Sequence, residues 1–327
     1  MTTYAEIAAK LRTLQAEVAK VVVGKEAVLE RACLALAAEG HVLLEDNPGL
    51  AKTLMVKSFS QALGIPFRRV QFTPDLLPAD ITGSFFFNLQ ANKFEIRKGP
   101  IFTSFLLADE INRAPPKTQS ALLEAMQERQ TTLEGETHAL PSPFFVFATQ
   151  NPIEIEGTYP LPEAQLDRFL MRLSVGYPSP AAEVEMLRRR DAAKQDETKL
   201  APVMSVEELR AIQRATEQVR LDDANKEYIV RLVNATRQDP RLQLGASPRG
   251  SLALFKLGKA HAMMQGRGYV VPDDIKAIAE AALAHRLVVR PEMRVRGLRA
   301  EQVVQEALRS VPAPAPPAPT SFGVAGG

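Results

Sequence analysis

The sequence predicts an α/β protein in which a parallel sheet is sandwiched by helices and followed by a smaller all-helical domain. Two observations lead there. Three short apolar runs, "GHVLLE", "IFTSFLLADEI" and "SPFFVFATQNP", are separated by helical stretches, and each runs into polar residues. Buried parallel strands read this way, and their ligands bind beyond the carboxyl ends. Beyond "SVGYPSP" the strand signals stop, and helical periodicity takes over in "SVEELRAIQRATEQV", "NKEYIVRLVNATRQ", "RGSLALFKLGKAHAMMQG" and "PDDIKAIAEAALAHRL". A chain of 327 residues is long enough for two domains. The expected boundaries are 1–180 for the core, with an insert at about 72–100, then 181–310 for the helical domain and 311–327 for a flexible Pro-rich tail.

Element by element, the first 40 residues are helical, with Leu11, Leu14 and Val18 on one face, a break at "VVVGK" where Gly24 separates two helices, and a second helix from Ala27 to Ala38. "GHVLLE" then meets a Pro-Gly turn, and "KTLMVKSFSQALG" reads as a helix closed by Gly64. The stretch "TPDLLPADITGSFFFNLQANKFEIRKGP" is rich in Pro, Gly, Asn and aromatics, which fits an insertion with a hairpin better than a core helix. Its run Phe85-Phe86-Phe87 has two readings, a contact surface or buried strand residues, and burial is the commoner outcome. Ser205 with Glu208 is a capping-box start, and Pro272-Asp273-Asp274 opens another helix. "VPAPAPPAPTSFGVAGG" cannot build a core and reads as a partly polyproline extension.

Composition weighs against several classes of partner, although local patches of charge remain open. Forty basic against 38 acidic residues leave a net charge of +2, so no overall field draws the chain to nucleic acid or an anionic membrane. The single cysteine, Cys33, lies in an apolar-periodic run and reads as a small buried hydrophobe. No window reaches 18 uncharged apolar residues and the N-terminus has no leader-like apolar stretch, so a cytoplasmic location is expected. His41, His138, His261 and His285 lack metal-ligand spacing and read as capping or packing residues. Arg188-Arg189-Arg190, flanked by Glu183, Glu185 and Asp191, reads as a solvated mixed-charge helix face.

The chemistry begins at "LLEDNPGLAKT", Leu43 to Thr53. The phosphate-loop pattern G-x-x-x-x-G-K-[ST] wants glycine where Asp46 and Ala51 stand, while Lys52 and Thr53 hold the places the chemistry needs. In such a loop, here Asn47, Pro48, Gly49, Leu50, Ala51 and onward to Leu54, backbone N–H groups and the following helix N-terminus cradle the phosphates. Lys52 would meet the outer phosphates, and the Thr53 hydroxyl would ligate Mg²⁺. Ala51 adds only a methyl, and aspartate tolerates left-handed backbone angles better than most residues. The Asp46 charge would be unfavourable beside a triphosphate if it pointed inward. Taken alone, "PGLAKT" reads equally well as a plain strand-turn-helix junction.

Two further strand ends join it. "FLLADE" supplies Asp109 for a Mg²⁺ shell and Glu110 to orient and deprotonate an attacking water; the alternative is that both acids cap the helix beginning near Ala114. Asn151 either holds that water by its amide or serves as a turn residue before Pro152.

These pieces stand in the order and context of the AAA+ ATPases. "LLEDNPGLAKT", "LLADEINRAPPKTQSALLEAMQE", "ATQNPIEIEGTYPLPEAQLDRF" and "GASPRG" closely resemble the MoxR family, over nearly everything from Val21 to His285. Ala51 fits that family's loop, which typically reads "GLAKT", whereas Asp46 departs from its usual glycine. The resemblance implies an AAA+ core with a helical lid, ATP and Mg²⁺ as cofactors, and an ATP hydrolase working as a homo-oligomeric ring, a hexamer. It implies that Val22, Val23 and Gly24 pack near the adenine, that Arg168 of "LDRF" is an arginine finger reaching a neighbouring subunit's γ-phosphate, and that Arg249 of "SPRG" is a sensor arginine reporting nucleotide state from lid to core. A guanidinium suits both tasks because it stays charged and binds phosphate oxygens bidentately. The insert resembles the helix-2 insert of this branch of AAA+ proteins, and "QERQTTLEGETHALPSP" resembles its hairpin before the third strand, both facing the pore or a partner.

The function so implied is chaperone-like remodelling or activation of partner proteins, with a partner carrying a von Willebrand factor A domain. Two other functions stand beside it. A nucleotide-gated scaffold with little turnover would follow if Asp46 weakened hydrolysis, but the intact Lys52, Asp109 and Glu110 speak against it. A DNA-remodelling AAA+ motor is disfavoured by the near-neutral charge.

Overall fold

The computed structural model describes residues 3–47, 49–90, 92–151, 157–194 and 199–314. The chain opens with α1 (Tyr4–Ala19) and α2 (Glu26–Ala37), then β1 (Val42–Glu45), α3 (Lys52–Ala62), β2 (Phe67–Gln71), the short α4 (Pro78–Thr82), and a hairpin of β3 (Gly83–Asn88) with β4 (Lys93–Lys98). There follow β5 (Phe105–Asp109), α5 (Pro116–Glu128), a second hairpin of β6 (Gln130–Leu133) with β7 (Glu136–Ala139), β8 (Phe145–Gln150), the one-turn α6 (Glu163–Leu166) and β9 (Met171–Leu173). The rest is α7 (Pro180–Ala193), α8 (Val206–Gln218), α9 (Asp223–Gln238), β10 (Leu242–Leu244), α10 (Pro248–Met264), α11 (Pro272–Leu283), β11 (Val288–Val289), α12 (Pro291–Val295) and α13 (Ala300–Ser310).

A five-stranded sheet in the order β2-β5-β8-β1-β9 forms the centre, and each neighbouring pair runs parallel. Alternate residues serve its two faces, as the two-residue period of a strand requires. Phe105, Leu107, Phe145, Phe147, Val42 and Leu44 join the cluster built by α1, α2 and α3, while Leu106, Ala108, Val146, Ala148 and Leu43 join Leu122, Leu123 and Met126 of α5 on the other face. The sheet is thus flanked by helices on both sides. Two strands go beyond the three that apolar runs announce. Edge strand β2 reads Phe-Arg-Arg-Val-Gln and buries only Val70 fully, and β9 has three residues, too few to show a pattern.

The C-terminal region is helical, except that β10 and β11 pair antiparallel. β10 buries only Leu242, and β11 is two residues long, so neither declares itself in sequence. α10 lies at the middle of this region, packed by α8, α9 and α11 and also by α1 and α2 from the other end of the chain. Ser205 and Glu208 form the expected capping box on α8, and Thr3 with Glu6 forms another on α1. The hairpin β3–β4 leaves Phe86 and Phe87 each 44% exposed, so the buried-strand reading of that run fails for both. Among the described residues no helix is long and apolar enough to cross a membrane.

His41 and His285 are packing residues. The His41 Nδ1 accepts the Val146 N–H at 3.0 Å, which fixes the tautomer, and Nε2 donates to the Met126 carbonyl at 3.0 Å. Burial lowers the pKa of His41 to about 4, and burial followed by the Arg286 guanidinium holds His285 well below the ordinary range. The folded chain therefore takes up these protons at lower pH than the unfolded chain, whose histidines titrate near about 6.5. Their contribution to stability is complete above that value and is lost as pH falls toward about 4. The thermal midpoint should hold level above about pH 7 and drop by several degrees between about pH 6.5 and 5; a level midpoint across that interval would contradict the assignment.

Candidate active site

The carboxyl ends of β1, β5 and β8 open onto a cavity of about 390 Å³ lined by Gly49 to Leu54, Arg69, Asp109, Glu110, Thr149 and Asn151. Gly49 (φ +81°) and Ala51 (φ 57°) both hold left-handed backbone conformations. Among the described residues, and apart from its chain neighbours, no atom lies within 4 Å of where a Gly49 side chain would begin, so the loop is open to an incoming group there. At Ala51 the conformation costs about 1–2 kcal/mol for an L-residue, which is more than an added methyl implies. Asp46 is not among the positive-φ residues, so glycine is not required there for backbone reasons. Pro48 lies outside the described residues.

Lys52 begins α3, and its Nζ turns back across the loop to donate to the carbonyls of Asp46 (2.6 Å) and Asn47 (3.2 Å). Burial lowers its pKa, while the carboxylates of Asp46, Asp109 and Glu110 act the other way. A half-buried ammonium held by carbonyls is suited to meeting an anion. The Asp46 carboxylate points away from the cavity, accepting from Ser174 Oγ (2.9 Å), from the Val175 N–H and from the Gly176 N–H (3.3 Å). It ties the start of the loop to the segment leaving β9.

One hydroxyl organises both acids at the end of β5. Thr149 Oγ1 donates to Asp109 Oδ1 at 2.6 Å and accepts the Glu110 N–H at 2.8 Å. Asp109 Oδ2 receives Arg69 Nε (3.0 Å) and Nη2 (2.7 Å), and Glu110 Oε2 receives Gln71 Nε2 (2.6 Å) and Arg113 Nη1 (3.0 Å). Neither acid caps a helix: Glu110 precedes a 3₁₀ turn without a side-chain cap bond, and Pro115 stands at the cap of α5. Asn151 is buried at the lip of the cavity, and its carbonyl accepts from Asn112 Nδ2 at 3.2 Å. Arg69, Gln71 and Thr149 were not among the residues singled out from sequence. Thr149 stood in plain view at a strand end, but the β2 residues become legible only once that edge strand is known.

The donor set suits a hard cation. Thr53 and Asp109 offer a hydroxyl and a carboxylate, and among the described residues no group of three or more His, Cys, Asp or Glu could hold a metal by itself. Mg²⁺ is commonly bound in this manner, by one or two carboxylates with waters and substrate phosphates completing its shell.

Arg168 and Arg249 do not line this cavity. Both line a second one, of about 280 Å³, bounded by the residues that precede β1 and β9 and by the last turn of α5, with Arg129, Lys256 and Arg286. It lies at the amino edge of the sheet. Arg168 Nη1 donates to the Leu123 carbonyl at 2.8 Å, its Nε is buried without an acceptor among the described residues, and Arg249 Nη2 donates to Gln127 Oε1 at 2.9 Å. Val22, Val23 and Gly24 form the α1–α2 junction. Val22 is buried, a Gly24 side chain would strike Ala182 at the start of α7, and none of the three lines the cavity at Lys52.

Comparison with known proteins gives the family and the fold. The family model "ATPase family associated with various cellular activities (AAA)" matches residues 41–171, and the "AAA lid domain" matches residues 234–307. The chain is 51% identical to the uncharacterized protein YeaC of Bacillus subtilis, across 90% of this chain and 92% of that one. It is 42% identical to chaperone MoxR1 of Mycobacterium tuberculosis, across 94% and 84%. The crystal structure of a candidate ATPase from Cytophaga hutchinsonii superposes with a TM-score of 0.88 at 39% identity, covering 95% of this chain and 97% of that one.

The outward-turned Asp46 generates a direct test. Asp46→Ala removes charge-assisted bonds of about 1.5–3 kcal/mol that hold the loop, so ADP affinity measured by calorimetry should weaken about tenfold or more. Tighter binding would mean that the carboxylate's charge at the cavity outweighs its anchoring.

Proposed function

The chain belongs to the MoxR family of AAA+ ATPases, and from that premise we propose that it hydrolyses ATP to ADP and phosphate in a ring of identical subunits, a hexamer, and spends the turnover on remodelling or activating partner proteins. The observation that carries this reading is the separation of two sets of side chains. Lys52, Thr53, Asp109, Glu110 and Asn151 gather at the carboxyl edge of the sheet, whereas Arg168 and Arg249 gather at the amino edge. Between the edges runs β1, four residues or about 13 Å at about 3.3 Å per residue. Arginines at the edge away from their own cleft support a reading in which they serve the cleft of the next subunit.

Within a subunit, the loop from Asn47 through Pro48, Gly49, Leu50 and Ala51 to Leu54 receives the phosphates, Lys52 binds the outer ones, and Val22, Val23 and Gly24 contact the adenine. Thr53 and Asp109 would hold Mg²⁺, which would supply positive charge to the phosphate oxygens. Asn151 positions the water and Glu110 takes its proton. Arg168 and Arg249 supply positive charge from the neighbour. Residues 1–180 act as the core with the insert at about 72–100, residues 181–310 as the lid, and 311–327 as the tail. The natural partner is a protein with a von Willebrand factor A domain, and the exposed Phe86 and Phe87 are available for partner contact.

Lys52→Ala should abolish ATP binding. Glu110→Gln should bind ATP normally and lose turnover by about a hundredfold or more, and ordinary turnover in that variant would remove Glu110 from its role. Specific activity of the native chain should rise with protein concentration as subunits meet. Arg168→Ala should keep its ATP affinity and lose that rise; a native rate at every concentration would eliminate action across subunits.

A further inference from the structure

The segment that carries Arg168 and the helix that carries Arg249 meet at one carboxylate. Asp167 Oδ1 accepts from Arg286 Nε at 2.8 Å, and Asp167 Oδ2 accepts from the Ser247 hydroxyl at 2.7 Å. Ser247 is the N-cap of α10, and the same hydroxyl accepts the Arg249 N–H at 3.0 Å. A chain of three hydrogen bonds thus runs from Arg286 through Asp167 and Ser247 to the Arg249 backbone, and Arg168 is covalently next to Asp167.

Arg286, only 5% exposed, follows α11 and reaches back to grip the backbone on both sides of Arg168. Its Nη2 donates to the carbonyls of Phe169 (2.6 Å) and Asp167 (3.2 Å), and its Nη1 to the carbonyls of Leu170 (3.3 Å) and Ala282 and to His285 Nε2 (2.8 Å). A guanidinium has five N–H donors, and here every nitrogen is engaged within the fold. Although Arg286 lines the same cavity as Arg168 and Arg249, it has no donor left for a phosphate.

We propose that Arg286 is a positioning residue which, through Asp167 and Ser247, holds Arg168 and Arg249 in fixed register so that the two guanidiniums meet a neighbouring subunit's phosphates as a pair. The inference rests on the reading that those arginines act across subunits. It requires no contact between Arg286 and nucleotide, and it makes Ser247 the link whose loss separates the pair with least disturbance to the fold.

The test uses full-length chains with Ser247→Ala, Arg286→Met and Arg168→Ala, measuring ATP affinity, kcat, and turnover after mixing with Lys52→Ala chains, whose own cleft is dead but whose arginines are intact. Ser247→Ala should bind ATP within about twofold of native, lose about tenfold in kcat, and add nothing further in an Arg249→Ala background. Mixing with Lys52→Ala chains should restore several-fold of the lost rate, because each intact cleft then meets an intact arginine pair. Arg286→Met should behave alike where its melting curve stays cooperative, and Ser247→Ala decides the matter if it does not. Native kcat in Ser247→Ala, additive losses with Arg249→Ala, or no recovery on mixing would each overturn the proposal. Native turnover in Arg168→Ala would instead overturn the underlying reading of action across subunits, so the two failures are distinguishable.

Discussion

Strand β1 pairs in parallel with β8 on one side and β9 on the other, with Val42 opposite both Phe147 and Met171. This pairing orders everything functional in the chain. In a parallel sheet every segment that leaves a strand does so at one edge and every segment that arrives does so at the other. The Lys52 loop leaves β1, and Arg168 arrives at β9, so the sheet itself keeps them apart whatever rotamers they adopt. The same geometry brings Asp109 and Asn151, from strands far apart in sequence, to the loop that follows β1. The separation of the Lys52 edge from the edge that carries Arg168 and Arg249 is therefore a consequence of strand direction.

The cleft edge is arranged so that its charges leave a place for an anion. Lys52 is partly desolvated and held by carbonyls, Arg69 neutralises Asp109, and Arg113 with Gln71 engages Glu110. The Asp46 carboxylate could have upset this balance. It instead spends its charge on Ser174 and on the backbone N–H groups of Val175 and Gly176. Since the left-handed positions of the loop fall at Gly49 and Ala51, position 46 is free to carry a side chain, and an aspartate there gives an anchor that glycine cannot. The departure from the glycine pattern is thus structural in effect.

Much of this was legible in the sequence, for reasons that also explain what was not. Buried strands such as Phe105–Asp109 and Phe145–Gln150 are apolar on both faces and stand out, as do helices with capping boxes. Edge strand β2 has solvent on part of its surface and carries Arg68 and Arg69, so its composition resembles a loop. For Phe85-Phe86-Phe87 the sequence leaves contact surface and burial both open with burial the commoner, because consecutive aromatics usually pack inside, and the structure exposes Phe86 and Phe87. Within the site, residues tied to strand ends could be named in advance because their chemistry follows from position. The direction of the Asp46 side chain could not, since its partners lie more than a hundred residues away. The link from Arg286 to Asp167 likewise spans 119 residues, and no local pattern reports it.

That link also has a physical logic beyond holding the molecule together. Burying a guanidinium is expensive, and burial does press the Arg286 pKa downward while Asp167 opposes it. A buried ion pair of this kind often contributes no more stability than apolar residues of the same shape would. Apolar packing, however, cannot accept or donate in fixed directions, and only directional bonds can set the backbone of Arg168 against the first turn of α10 at the same time. Groups that act on a transition state must sit within about half an ångström of their productive geometry, and long arginine side chains lose that precision unless their roots are rigid. The bonds from Arg286 go to the roots and not to the tips. Arg168 and Arg249 rest their outer nitrogens on α5 through Leu123 and Gln127, so the tips are held by one element and the roots by another.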